Sequence, residues 1–136
     1  MSNALYDKGR EAFLSGSINW SSDTIKCYLI DTGAYTPNLS TDQFLSDVPS
    51  GARIGTAQTL ASKTVTAGVA DAADISFTGL TSAPSLEALL IYKDTGTAST
   101  SPLICLIDTA TGLPVSAGAT QVDVAWDNGS NRIFKL

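Results

Sequence analysis

Histidine is absent from this 136-residue chain. That removes His-based catalytic triads, imidazole general bases and imidazole metal ligands from consideration. Charge is also scarce. Only 15% of residues are Asp, Glu, Lys or Arg, and the eight Lys and Arg are outnumbered by thirteen Asp and Glu, for a net charge of −5. The basic residues are scattered. A nucleic-acid partner needs a basic stripe to displace counterions, and none is present; an anionic membrane surface is disfavoured for the same reason. No apolar run approaches the roughly 18 residues that a membrane-spanning helix requires. The opening MSNALYDKGREAFL mixes acids and bases and lacks the apolar stretch of a secretory leader, so synthesis in a cytoplasm is expected. Cysteine occurs twice, at Cys27 and Cys105, with no spacing that suggests a disulfide framework. Aligning the two Leu-Ile-Asp-Thr strands places Cys27 opposite Ile104 and Cys105 opposite Tyr28. The thiols then fall on opposite strand faces, and two free, buried cysteines are expected.

What is abundant points to β-structure. The chain is 43% hydrophobic and rich in Thr, Ser, Ala and Gly, a composition suited to strands joined by many turns. The length fits one domain, residues 1–136. Residues 4–15 pattern as a short amphipathic helix, with Leu5, Ala12 and Phe13 on one face and Gly16 as its stop. Gly9 inside it costs about 1 kcal/mol relative to Ala. Strand signals follow in TIKCYLI, ARIGTAQ, LASKTVTAG, DISFTGL, LEALLIY, PLICLID, TQVDVAW and NRIFKL. TIKCYLI is apolar on both faces, and LEALLIY is so apolar that a central position is expected. Residues 35–52 form a long connection, in which Thr41 is positioned to cap one helical turn through Phe44 and Leu45, with Pro49 closing it. Asp127-Asn128-Gly129 is a hairpin turn signal. The pattern predicts an all-β fold: an antiparallel sandwich or barrel-like arrangement of about eight strands with a short N-terminal helix.

The motif that invites a catalytic interpretation is LIDTGA at residues 29–34, the spelling of an aspartic protease loop. Asp-Thr-Gly returns at residues 94–96, and LIDTATG stands at 106–112. Such an enzyme needs two carboxylates that share a proton. Too few residues separate Asp31 from Asp94 for two complete lobes. A retropepsin-like dimer, with one loop per subunit, fits the length but also needs a downstream apolar-apolar-Gly element. The nearest candidate, Arg53-Ile54-Gly55, lies too close and begins with a charge. Turn chemistry explains all three copies, because Asp accepts a backbone N–H two residues on and Gly tolerates positive φ. No catalytic residue is assigned. Asn19, Asn38 and Asn128 begin glycosylation spellings that serve here as turns. Asp71 and Asp74 supply too few oxygens for a calcium cage, so no metal or cofactor is expected. Trp20 and Trp126 are expected to be core anchors.

The order of segments carries a resemblance: ALYDKGREAFLSGSINW, DTIKCYLIDTGAYT, FLSDVPSGARIGT, KTVTAGVADAADISFTGL, EALLIYKDTGTASTSPLICLIDTATGLPV and VAWDNGSNRIFKL. Over residues 4–136 the chain resembles a family of small virion and hypothetical proteins of tailed double-stranded DNA bacteriophages. The resemblance implies a structural component located in the virion, with the major capsid protein or other virion proteins as partners, in a homo-oligomer or multivalent array. A capsid decoration (cement) protein is the first expectation, and a tail, baseplate or fibre-associated protein the second. Residues 1–20 are expected to form a contact arm through Leu5, Tyr6 and Phe13, and removal of residues 1–16 is expected to abolish particle binding while leaving the fold intact. The terminal strand, with Ile133 and Phe134, is expected to offer an edge for strand addition.

Overall fold

The computed structural model describes residues 4–80, 86–108, 113, 117, 118, 120–126 and 133–135. The fold is all-β, built from antiparallel sheets with one short helix. Its elements are β1 (Ala4–Leu5), α1 (Asp7–Leu14), β2 (Ile25–Ile30), β3 (Arg53–Thr59), β4 (Thr64–Thr66), β5 (Val69–Asp71), β6 (Ile75–Phe77), β7 (Ala88–Lys93), β8 (Leu103–Ile107), β9 (Val122–Val124) and β10 (Phe134–Lys135). They form a five-stranded sheet in the order β1-β8-β7-β2-β3, a three-stranded sheet β10-β5-β4 and a pair β6-β9.

The five-stranded sheet is covered on both faces, which is why its central strands are nearly continuous apolar runs. Ile25, Cys27, Leu29, Leu89, Ile91 and Ile107 belong to one core, together with Phe77, Val122, Val124, Trp126, Trp20 and Phe134 from the smaller sheets and their flanks. Ile30, Leu90, Tyr92, Leu103 and Leu106 belong to a second core with Tyr6, Tyr35, Leu45, Val48 and Ala52. β7 lies at the middle of the sheet, as LEALLIY predicts, and four of its residues are fully buried. Burying each Leu or Ile there contributes about 1.5–3 kcal/mol.

The long connection is therefore the lid of the second core. Two 3-10 turns, Leu45–Asp47 and Ser50–Ala52, bring Leu45, Val48 and Ala52 inward. Thr41 does not cap the first turn. The Asp47 carboxylate instead accepts the N–H groups of Gln43 (2.8 Å) and Phe44 (2.9 Å). A buried chain of oxygens fastens this lid to the N-terminal segment: Tyr6 Oη lies 2.9 Å from Tyr35 Oη, which donates to Asp42 at 2.6 Å.

The helix is shorter than its pattern suggests. It ends as expected at Gly16 (φ +81°), where the Gly16 N–H reaches Phe13 O and the Ser17 N–H reaches Ala12 O, a Schellman stop. Leu5, however, belongs to a strand, paired with Cys105 across β1 and β8. The run LASKTVTAG also divides. Ser62 adopts positive φ, β4 is only three residues long, and Ala67-Gly68 makes a two-residue hairpin turn into β5. The predicted turn at Asp127-Asn128-Gly129 lies outside the described residues.

The cysteines are free and buried, as expected, but they share a face. Leu29 pairs with Leu89 and Leu89 with Ile107, so Cys27 and Cys105 both register against Ile91. The two Leu-Ile-Asp-Thr segments are thus offset by one residue relative to the alignment that put the thiols on opposite faces. What keeps them apart is β7. Two strand spacings, about 10 Å, exceed the roughly 7 Å limit between Cα atoms for a disulfide.

Candidate functional site

Residues from both ends of the chain meet in an apolar groove of about 330 Å³, lined by Phe13, Ile18, Trp20, Val65, Ala70 and Phe134 among others. The Schellman turn at the end of α1 sends the chain back toward the small sheet, so Ile18 and Trp20 follow Phe13 into the core. Asn19 fixes the next turn. Its side-chain oxygen accepts Ser21 and Ser22 N–H, and its own N–H donates to the Asp23 carboxylate at 2.7 Å. The Trp20 indole donates to Asp71 O, tying this turn to β5. From the other end of the chain, Phe134 pairs with Ala70 and brings its ring edge-on to Trp20 at 5.3 Å and near Phe13 at 5.8 Å. Along one rim runs β4, an edge strand whose three residues are all exposed. Val65 at its centre is 56% exposed.

Four of the five contact residues expected from the sequence are committed to the interior. Leu5 is 8% exposed, Tyr6 0%, Ile133 3% and Phe134 9%. Phe13 is partly buried against the same core. The segment from residue 4 to 20 is therefore no detachable arm. β1 completes the main sheet, Tyr6 N–H donates to Ile104 O, Asp7 N–H donates to Leu39 O, and Tyr6 packs at the centre of the second core. Removing residues 1–16 would take Leu5 and Phe13 from one core and Tyr6 from the other, so the truncation is expected to destabilise the fold. The residue missed from sequence is Val65. Its only signal is an isolated apolar position between two threonines beside a turn, and that signal does not distinguish an inward from an outward side chain.

The Asp-Thr-Gly segments are strand-end turns. Asp31 accepts Gly33 N–H at 2.9 Å and Asp94 accepts Gly96 N–H at 3.0 Å. Gly96 uses positive φ (+90°), whereas Gly33 makes the turn without it. Asp31 follows β2, while Asp94 N–H bonds Thr24 O just before it, so the two carboxylates sit at opposite ends of a six-residue strand, about 20 Å apart. They form no dyad within one chain. The Thr109–Gly112 part of the third copy lies outside the described residues. Asp94 also pairs with Lys26 at 3.1 Å, and the Gly96 N–H, ahead of Lys26, holds its carboxyl below the usual range.

Both tryptophans anchor the same segment of chain. Trp126 donates through its indole to Ala73 O (3.0 Å), and its backbone N–H reaches the Asp74 carboxylate (3.0 Å). Asp74, just before β6, thus serves the backbone just past β9, the strand paired with β6.

No family model and no curated protein sequence matches the chain.

Proposed function

We propose that the chain is a structural protein of a tailed bacteriophage particle, a decoration protein that binds the head shell at many equivalent sites. The observation that carries this reading is the segment order over residues 4–136, with its resemblance to small phage virion proteins. The geometry supports it in two ways. The Asp-Thr-Gly carboxylates that invite a catalytic interpretation are spent on turn N–H groups. The β4 edge, with Val65 exposed beside the apolar groove, offers apolar surface and a strand edge left open among the described residues, the combination used in strand addition. Modest contacts of this kind add through multivalency on a repeating shell.

Quantitative mass spectrometry of purified virions, referenced to the major capsid protein, tests the proposal. A copy number in the hundreds, simply related to the capsid count, is expected. A few copies to a few dozen would overturn it in favour of a tail or vertex position. A second test uses Val65→Asp. Because Val65 is largely exposed, the change should alter stability by no more than about 0.5 kcal/mol. Occupancy on undecorated particles should fall. Unchanged occupancy would remove β4 from the contact.

A further inference from the structure

A second groove, of about 350 Å³, crosses the face of the main sheet that carries the Tyr6 core, and its walls include Lys26, Tyr28, Arg53, Thr56, Tyr92 and Asp94. The sheet is opened there by an irregularity. Cys27 pairs with Gln58 and Leu29 with Ile54, so residues 55–57 of β3 stand opposite the single residue Tyr28. Bulges of this kind bend a strand and re-aim its side chains, and they concentrate beside functional sites. Here the bulge is held by Gly55 at φ +74°, and its Thr56 and Ala57 form part of the groove wall.

Three side chains are layered within the groove. Tyr28 and Tyr92 stack with ring centroids 5.8 Å apart and planes inclined by 14°, and the Arg53 guanidinium carbon lies 6.0 Å from the Tyr28 ring centroid. Both faces of Tyr28 are thereby occupied, so the stack is no platform for a further ring. It instead holds the guanidinium beside the Tyr28 ring. The Arg53 Nε is buried and has no hydrogen-bond partner among the described residues. A buried donor left unsatisfied costs about 1–3 kcal/mol, and with Nε closed to solvent the two outer nitrogens are the ones that a molecule in the groove meets. Arg53 also differs from the four cations held in ion pairs. Lys8, Arg10, Lys26 and Lys93 each hold a carboxylate, whereas Arg53 has none among the described residues. With Lys26 neutralised by Asp94, the groove keeps one net positive charge in a chain of net charge −5.

We propose that this groove binds a carboxylate, which Arg53 grips through the N–H groups of its two outer nitrogens. A planar carboxylate matches the guanidinium fork with two parallel hydrogen bonds. The volume is at the lower end for small-molecule sites, which suits a small carboxylic acid or a single Glu or Asp side chain inserted from a partner protein. The site does not depend on the particle-binding role of the β4 edge.

The test is a nitrogen-15-edited NMR titration that follows the Arg53 Nε–H signal directly. Sodium acetate should shift this signal saturably, while sodium chloride at equal ionic strength leaves it unmoved. Arg53→Lys, checked by thermal melting for retention of the fold, should weaken acetate binding by roughly tenfold, because Lys cannot reproduce the fork. Titration with a short blocked peptide containing one Glu, against the same peptide with Gln, identifies the source. Binding of the Glu peptide at least as tight as acetate indicates a partner side chain; acetate binding alone indicates a free acid. An Arg53 Nε–H signal indifferent to acetate, or shifted equally by chloride, overturns the proposal.

Discussion

Gly9→Ala opposes a local and a tertiary expectation at one position. In an isolated helix the substitution gains about 1 kcal/mol, because Ala restricts the unfolded chain and Gly does not. In the folded protein, a Cβ on residue 9 would lie 2.6 Å from Leu103 O, 3.0 Å from Ile104 O and 3.2 Å from Ile104 Cα. These are backbone atoms of β8, the second strand of the main sheet, and they cannot swing aside as a side chain would. To reach ordinary contact the helix must lift by several tenths of an ångström. That motion pulls on the Tyr6 N–H bond to Ile104 O (3.0 Å), on the β1 pairing and on the packing of Ala12 and Phe13. Overpacking of this kind costs about 1–3 kcal/mol, so the clash outweighs the propensity gain. The expected net loss is about 0.5–2 kcal/mol, read by urea denaturation as a lower midpoint at unchanged slope. In a thermal melt each kcal/mol corresponds to roughly 3–5 °C at this chain length. A Gly9→Ala protein with an unchanged or raised midpoint would refute the close approach of helix and sheet.

The remaining predictions concern other sites. Ala67→Asn should stabilise by about 0.5–1 kcal/mol, since Ala67 holds φ +53° in the β4–β5 hairpin turn, where Asn is accommodated better; a lower melting temperature would refute the turn assignment. Tyr35→Phe should cost about 1–3 kcal/mol by leaving the buried Tyr6 hydroxyl without its partner, and double-mutant analysis with Tyr6→Phe should recover part of that loss. Burial raises the ionisation of Tyr6, Tyr35, Tyr92, Cys27 and Cys105 above their ordinary values. The folded state therefore keeps its protons while the unfolded chain loses them from about pH 8.5 for thiols and 10 for phenols. The stability these groups contribute is complete below that range and lost as pH rises through it, so the denaturation midpoint should decline across alkaline pH. The same burial keeps both thiols unreactive toward a thiol-labelling reagent in the native protein at pH 8, with two groups released on unfolding; rapid native labelling would contradict it. At acid pH, Asp94 is lowered first by the Gly96 N–H. Asp23 is lowered by the Asn19 N–H and Lys93 acting against its partial burial. Stability should therefore fall again below about pH 4.

Much of this architecture was legible in the residues alone. LEALLIY and TIKCYLI, apolar at consecutive positions, specified strands covered on both faces, because alternation in a strand leaves no polar side for water. The Asp-Thr-Gly turns, the stop at Gly16 and the indole anchors rest on local chemistry: a carboxylate two residues from an N–H, a glycine at positive φ, a large ring with one donor. Register was different. Period-two patterning says which residues alternate, but not which residue faces which on the next strand. The offset that brings Cys27 and Cys105 onto one face was therefore decided only when β2, β7 and β8 paired. The same holds for Gly9, a weakness within its own helix and a requirement against β8. Leu5, Tyr6, Ile133 and Phe134 have the composition of a contact surface, yet both ends of the chain fold into the interior. What remained outside, Val65 on an open edge and Arg53 over a tyrosine stack, carries no signature in sequence. Exposure and an unmet hydrogen bond are properties of what the rest of the chain leaves uncovered, and only the tertiary structure fixes that.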